Sequence, residues 1–142
     1  MNVSTWWPSD YEIMLSVGPR VVFGLRNGPL AIRRVHRNGR YLWKVDHLPS
    51  GLSLSEAIGL YESEASARLV VELLLRLYQG WERQNWCAKI GDNRELHKAL
   101  GLQVRVALEQ AGLRGIPDHF PGVRLGKVVW LNGYASTKSQ SA

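Results

Sequence analysis

Residues 11–47 read YEIMLSVGPRVVFGLRNGPLAIRRVHRNGRYLWKVDH, and this stretch decides the fold. Apolar side chains alternate with polar ones, which is typical of strands that bury one face. The pairs Asn27-Gly28 and Asn38-Gly39 supply turn residues that tolerate a positive φ. The stretch therefore predicts an antiparallel β-meander of about four strands at the start of the chain.

Alternation also predicts which side chains of the meander enter the core, because neighbouring residues of a strand point to opposite faces. Seven apolar or aromatic positions are expected on the buried face: Val21, Phe23, Leu25, Tyr41, Trp43, Val45 and His47. The opposite face is expected to be basic, and it includes Arg20, Arg26, Arg40 and Lys44. Arg33 and Arg34 are adjacent, so both can point outward only if a bulge separates them.

A long helix follows the meander. Ser63 is suited to cap its N-terminus, and Gly80 is expected to end it. An apolar stripe is predicted to pack this helix across the sheet, and it consists of Ala65, Leu69, Val70, Leu73, Leu74 and Leu77.

The remainder of the chain predicts a second helix and a terminal strand. The helix is expected to start at Asp92 or Asn93 and to end before Gly112, with the strand at 123–131. Residues 1–134 would then form a single α+β domain, and the small polar residues 135–142 a disordered tail.

An alternative interpretation of residues 92–131 is a winged helix-turn-helix. In that arrangement Gly101 belongs to the turn, 103–111 forms the second helix and 123–131 forms the wing. A recognition helix needs several exposed polar or basic side chains, and 103–111 offers few of them. The continuous helix is therefore preferred.

Length and composition favour one folded domain, since the chain has 142 residues, of which 45% are hydrophobic. A single cysteine excludes an intramolecular disulfide. The N-terminus lacks the basic start and apolar run of a signal peptide, and no segment approaches the roughly 18 apolar residues of a spanning helix. We expect a cytoplasmic protein with no membrane partner.

Motifs for catalysis or metal binding are absent from the sequence. The histidines and Cys87 lack the short paired spacing of a zinc site, and nothing near Cys87 indicates an oxyanion hole. The segment 122–127 has one residue too few between its glycines for a phosphate loop and lacks the Ser or Thr after its lysine. We therefore expect a protein that is not an enzyme and has no metal or cofactor.

The positive charge is unevenly distributed. The formal net charge is +6, yet no Asp or Glu lies between Ile13 and Val45. Seven basic residues lie in that interval: Arg20, Arg26, Arg33, Arg34, Arg37, Arg40 and Lys44. A surface patch of one sign costs self-repulsion, so it usually indicates a polyanionic partner or an acidic protein surface.

Six tryptophans are many for a chain of this size. Four lie near the ends of predicted elements, where partial exposure is expected: Trp6, Trp7, Trp81 and Trp86. Exposed aromatics beside arginines suit stacking on unpaired bases and equally suit a protein interface.

Two functions are consistent with these features. The first is a nucleic-acid-binding protein that contacts DNA or RNA through the seven basic residues of the sheet. The second is a small adaptor or inhibitor, of a kind common in phages and mobile elements, that engages an acidic protein surface through arginines and tryptophans. In a third interpretation the arginines are screened within a monomer or homodimer by Glu62, Glu64, Glu72 and Glu82.

Overall fold

A computed structural model describes residues 5–15, 17–82 and 94–118 of the chain. Five strands and three helices lie in these ranges. The strands are β1 (Trp7–Leu15), β2 (Gly18–Asn27), β3 (Leu30–Arg37), β4 (Arg40–His47) and β5 (Leu52–Ser53). The helices are α1 (Ser55–Ile58), α2 (Glu64–Leu77) and α3 (Arg94–Gln110). This arrangement confirms the predicted α+β class with an N-terminal meander.

The strands form one antiparallel sheet in the order β1-β2-β3-β4-β5. The turn between β3 and β4 uses Asn38 and Gly39, with φ of 51° and 79°. Two positive φ values in a two-residue loop are the geometry that the right-handed twist of a hairpin requires. The predicted Asn-Gly turn is therefore confirmed at this position.

Helix α2 packs on one face of the sheet, which we call the helix-side face. The Ser63 hydroxyl accepts a hydrogen bond from the Ser66 amide at 3.0 Å, so Ser63 caps the helix as predicted. The buried side chains of α2 are Ala67, Val70, Val71 and Leu74. They pack with Leu30, Ile32 and Val45 of the sheet in the main core.

The predicted stripe on α2 was wrong in part. Leu69 is 53% exposed and Ala65 is also exposed, whereas Ala67 and Val71 are buried. The helix is apolar at most positions between 65 and 77, so alternative faces fit the helical period almost equally well. Contact with the sheet decides between them.

The sheet is strongly curled, and its other face, which we call the inner face, closes on a second small core. Tyr11 and Ile13 pack there against Ala31 of β3. The curl brings β1 to β5, where the Met14 amide donates to the Gly51 carbonyl at 2.8 Å. The hairpin of β1 and β2, the first hairpin, thus folds over the inner face of the second hairpin, which consists of β3 and β4.

This curl overturns part of the predicted core. Val21 and Phe23 are each 64% exposed and Tyr41 is 61% exposed, although alternation placed them on the buried face. These three residues do lie on one face of the sheet, as alternation predicted. However, α2 does not cover the part of that face where they lie. Val45 and His47 are buried as predicted.

A short segment after α3 returns to the sheet. Leu60 and Ile116 exchange two backbone hydrogen bonds of 2.8 Å, and Gly59 and Gly115 lie against each other beside them. A Cβ on Gly115 would lie 2.2 Å from the Ile58 carbonyl oxygen. Glycine is therefore required for this approach, which brings Asp118 to the sheet.

Helix α3 runs without interruption through Gly101. A turn at Gly101, as the helix-turn-helix interpretation requires, is therefore excluded. Val104 and Leu108 of α3 are buried in the main core. The predicted strand or wing at 123–131, the domain limit at 134 and the tail at 135–142 lie outside the described residues.

None of the helices in the described ranges has the length and apolar character that crossing a bilayer requires.

Candidate nucleic-acid interface

The strand register assigns the basic residues to the two faces of the sheet. Arg33 and Arg34 are consecutive residues in an unbroken register, opposite Lys44 and Trp43 respectively. They therefore point to opposite faces, and no bulge separates them. Six of the seven basic residues lie on the inner face: Arg20, Arg26, Arg33, Arg37, Arg40 and Lys44. Arg34 lies on the helix-side face.

A buried carboxylate holds Arg33. The Arg33 Nε donates to Asp46 Oδ2 at 2.7 Å, and the Tyr11 hydroxyl donates to the same oxygen at 2.8 Å. The Asp46 side chain is only 1% exposed. Burial, and then the nearby Asp46 charge, raise the pKa of Tyr11, so its hydroxyl stays protonated and remains a donor. This arrangement pairs the Nε of Arg33 with a carboxylate inside the fold.

Three side chains, those of Arg37, Ser55 and Lys44, lie next to a second carboxylate, Asp118. Arg37 Nε donates to its Oδ1 at 3.2 Å, and the Ser55 hydroxyl donates to its Oδ2 at 2.8 Å. Lys44 Nζ lies 3.8 Å from Oδ2, within ion-pair range. Burial lowers the pKa of Lys44, and the positive charge of Arg33 lowers it further. Asp118 thus links the C-terminal segment to the β3–β4 hairpin.

The predicted continuous basic surface is therefore interrupted. Arg33, Arg37 and Lys44 are mostly buried and ion-paired, while Arg40 forms an exposed pair with Glu62 at 2.7 Å. Arg20 is exposed, and Arg26 lies 5.3 Å from the centre of the Trp7 ring. Binding of nucleic acid by this set stays a prediction.

Two aspartates, Asp46 and Asp118, pair with sheet cations, a role that the third interpretation had assigned to glutamates. Among the four candidates, Glu62 pairs with a sheet arginine, Arg40. Glu64 instead binds Arg68, its neighbour one turn along α2, and Glu72 accepts a hydrogen bond from Trp6. Sequence reasoning missed Asp46 and Asp118 because Asp46 alternates with residues of the face expected to be basic, and Asp118 is far from the sheet in sequence.

An exposed group of aromatic and cationic side chains lies on the helix-side face beyond α2. The Arg34 guanidinium carbon is 4.4 Å from the centre of the Tyr41 ring. His36 meets the same ring in a T-shaped contact, with 5.1 Å between ring centres. We call Arg34, His36 and Tyr41 the stacking patch. Its three side chains are all exposed.

Three exposed apolar side chains lie on the same face of the first hairpin: Met14, Val21 and Phe23. We call these residues the apolar strip. Asp10 is the strand partner of Phe23, and Glu12 is the partner of Val21, so carboxylates border the strip. On the helix-side face, the first hairpin therefore exposes apolar and acidic side chains, whereas the second hairpin exposes aromatic and basic ones.

The four predicted interface tryptophans differ in their surroundings. Trp7 is 40% exposed, whereas Trp6 is half-buried and its Nε1 donates to Glu72 at 3.1 Å. Trp81 is 1% exposed, and its Nε1 donates to the Leu74 carbonyl at 2.8 Å, so its expected exposure was wrong. The chain returns after α2 and inserts this ring into the core. Trp86 lies outside the described residues.

In the part of the chain that the structure describes, no group of three or more His, Cys, Asp or Glu side chains is arranged to hold a metal ion.

Comparison with known proteins gives no relative: no family model, no curated protein and no solved structure matches this chain.

Proposed function

We propose that the protein binds single-stranded nucleic acid through the stacking patch. The observation that carries this proposal is the exposed Tyr41 ring, with the Arg34 guanidinium over it and His36 against it. Unpaired bases stack on such rings with little dependence on sequence, and a neighbouring guanidinium can contact the phosphates. A duplex does not offer its base faces, so single strands are the preferred ligand.

The paired arginines limit how many phosphates the protein can contact. Arg33 and Arg37 are held by buried carboxylates, so the exposed cations near the patch are chiefly Arg34 and Arg40. For single strands the slope of log affinity against log salt is about −0.7 for each phosphate neutralised. For these two cations we therefore expect a slope of roughly −1.4. Engagement of all seven basic residues would give a slope of roughly −5.

The test is fluorescence anisotropy of labelled single-stranded and double-stranded DNA and RNA across a salt series. Tyr41→Ala is expected to weaken single-strand binding by about 1–3 kcal/mol, the usual contribution of one stacked base. Arg34→Gln is expected to weaken binding and to reduce the salt slope. Arg76→Gln is the matched control, because Arg76 is an exposed arginine on α2.

The proposal fails if no single strand binds at low salt. It also fails if Tyr41→Ala and Arg34→Gln bind as well as the unmodified protein, since the patch would then contribute nothing.

A second candidate function, binding of a partner protein, is supported by the apolar strip. Phe23 and Val21 are both 64% exposed, and Met and aromatic residues are enriched at protein interfaces. A binding event anchored there would depend weakly on salt, because it buries apolar area and releases few ions. A photo-crosslinking residue at position 23 tests this function, with the same residue at position 76 as the control. Crosslinked partners specific to position 23 would support it, and identical products at both positions would exclude it.

A further inference from the structure

Two cations face each other across the centre of the β3–β4 hairpin. Arg33 and Lys44 are directly opposite in the strand register and share the inner face. Each side chain is only 14% exposed. Like charges placed directly opposite destabilise a sheet, and partial burial increases that cost. Such a pair needs a compensating negative charge nearby.

The protein supplies that compensation incompletely. Arg33 uses Nε to bind Asp46, and Lys44 Nζ lies 3.8 Å from Asp118, beyond hydrogen-bond length. Within the described residues, the two Nη groups of Arg33 and the Lys44 ammonium donate no hydrogen bond. Among the described residues, the side-chain atoms that are fully buried and lack a hydrogen-bond partner are Arg26 Nε and Asp46 Oδ1. The Arg33 Nη atoms and Lys44 Nζ also lack such a partner but do not belong to this fully buried group. They therefore retain some exposure to solvent.

The charge balance around the pair is positive. Three cations, Arg33, Arg37 and Lys44, meet two carboxylates, Asp46 and Asp118. The carboxylates are already engaged: Asp46 Oδ2 receives two donors, and Asp118 receives Arg37 and the Ser55 hydroxyl. Among these five described side chains the cations outnumber the carboxylates by one, and both Arg33 and Lys44 are largely buried.

We propose that Arg33 and Lys44 form a binding site for a phosphoryl group on the inner face. Their free donors come from two adjacent strands, so they approach an anion from different directions. A tetrahedral phosphoryl group presents oxygens in several directions and can accept from a guanidinium and an ammonium together. The site is separate from the stacking patch on the opposite face, and it does not depend on the proposed function.

The first test measures binding of inorganic phosphate by calorimetry, with chloride at matched ionic strength as the reference. Lys44→Met removes the ammonium and keeps the length of the side chain. We expect it to weaken phosphate binding about tenfold or more, the usual effect of losing one charge-assisted hydrogen bond. Arg76→Gln serves as the control and is expected to bind phosphate unchanged.

A second test needs no substitution and therefore cannot fail through misfolding. The unmodified protein is treated with an acetylating reagent, and mass spectrometry follows the rate at each lysine. Phosphate is expected to slow acetylation of Lys44 at least threefold, and chloride at matched ionic strength is expected to leave the rate unchanged. An equal rate at Lys44 with and without phosphate would overturn the proposal, as would undiminished phosphate binding by folded Lys44→Met.

Two further ligands identify the source of the phosphoryl group. A nucleoside monophosphate carries it as a monoester, and a short single-stranded oligonucleotide carries it as a diester. Protection of Lys44 by the monoester alone assigns the site to a small metabolite, and protection by the oligonucleotide assigns it to a nucleic-acid backbone. If the oligonucleotide protects Lys44 while Tyr41→Ala leaves its binding unchanged, this site stands and the stacking patch does not.

Discussion

Asp46 is fully buried and carries the charge that keeps Arg33 inside the fold. Its Oδ2 accepts from Arg33 and Tyr11, and no donor within the described residues reaches its Oδ1. A buried carboxylate is tolerated only when a cation and hydrogen bonds offset its desolvation. The electrostatic balance around Arg33 therefore depends on this side chain, while Asp118 pairs with Arg37 and Lys44.

Removal of Asp46 tests that dependence. We expect Asp46→Ala to lower the free energy of unfolding by about 3 kcal/mol, because Arg33 and Tyr11 would lose their shared acceptor. Glu62→Ala is the matched control, since it breaks an exposed pair with Arg40 and should cost less than about 1 kcal/mol. Urea unfolding measures both values. Equal losses for the two variants would contradict the structural role of Asp46.

His47 predicts a pH dependence of stability. Its Nε2 lies 2.6 Å from the Trp81 carbonyl, which can only accept, so Nε2 carries the proton and Nδ1 accepts from the Ser50 hydroxyl at 2.7 Å. Burial lowers the pKa of His47, and the bond to Trp81 opposes this in part. The unfolded chain therefore takes up a proton on His47 at a higher pH than the folded chain does.

Stability due to His47 is thus complete above its unfolded pKa of about 6.5 and decreases as the pH falls below it. The slope is at most about 1.4 kcal/mol per pH unit. Urea midpoints between pH 7.5 and 5.5 measure it, and His47→Gln is expected to flatten the dependence. A profile unchanged by His47→Gln would show that other groups cause it.

At the scale of elements, the sequence predicted where helices and strands lie better than which faces they bury. The Asn38-Gly39 turn and the Ser63 cap are local signals, and the structure contains both. The buried face of α2 could not be read, because its apolar residues surround most of the helix. The return of Trp81 to the core has no local signal, since it depends on contacts with distant residues.

The approach of Gly59 to Gly115 gives a prediction about the C-terminal segment. Gly115→Ala would place a methyl group against the Ile58 carbonyl, so the bridge between Leu60 and Ile116 must separate. Overpacking of this kind costs roughly 1–3 kcal/mol. Asp118 would also move from the sheet, which leaves Arg37 and Lys44 without their carboxylate.

Urea unfolding measures that loss, and Arg114→Ala is the control because it changes an exposed side chain in the same segment. The control is expected to alter stability by less than about 0.5 kcal/mol. An unchanged stability in Gly115→Ala would show that the segment does not pack as described.

For the whole molecule, the curl of the sheet decides which side of the first hairpin is inside. Ile13 is 4% exposed on the inner face, and Val21 on the neighbouring strand is 64% exposed on the other. Alternation cannot tell these faces apart, since both carry apolar residues. The sequence therefore predicted the meander but not its curl.

Paired substitutions test the curl. Ile13→Ala is expected to cost about 2–5 kcal/mol, the usual loss for a buried aliphatic side chain. Val21→Ala is expected to change stability by less than about 0.5 kcal/mol. Thermal and urea unfolding measure both. The reverse order would mean that α2, rather than the second hairpin, covers the first hairpin.

The basic residues of the candidate site could be predicted from the sequence, but their pairing with carboxylates in the fold could not. The run of basic residues without a carboxylate is visible in the sequence, and register placed most of them on one face. Their neutralisation depends on Asp118, which is 74 residues from Lys44 in the chain and meets it only after folding. The stacking of Arg34 on Tyr41 follows from the register of β3 with β4, once the Asn-Gly turn is fixed.

The short pairing between β2 and β3 has a consequence for how the protein avoids aggregation. Only three residues of each strand are paired: Leu25–Asn27 of β2 with Leu30–Ile32 of β3. Beyond Ile32, no strand in the described ranges pairs with β3 on its β2 side. Arg33, Arg34 and Arg37 lie in this part of β3, and charged side chains there discourage the addition of a foreign strand. The same arginines that suggest a ligand thus also discourage edge-to-edge association of β3 with another chain.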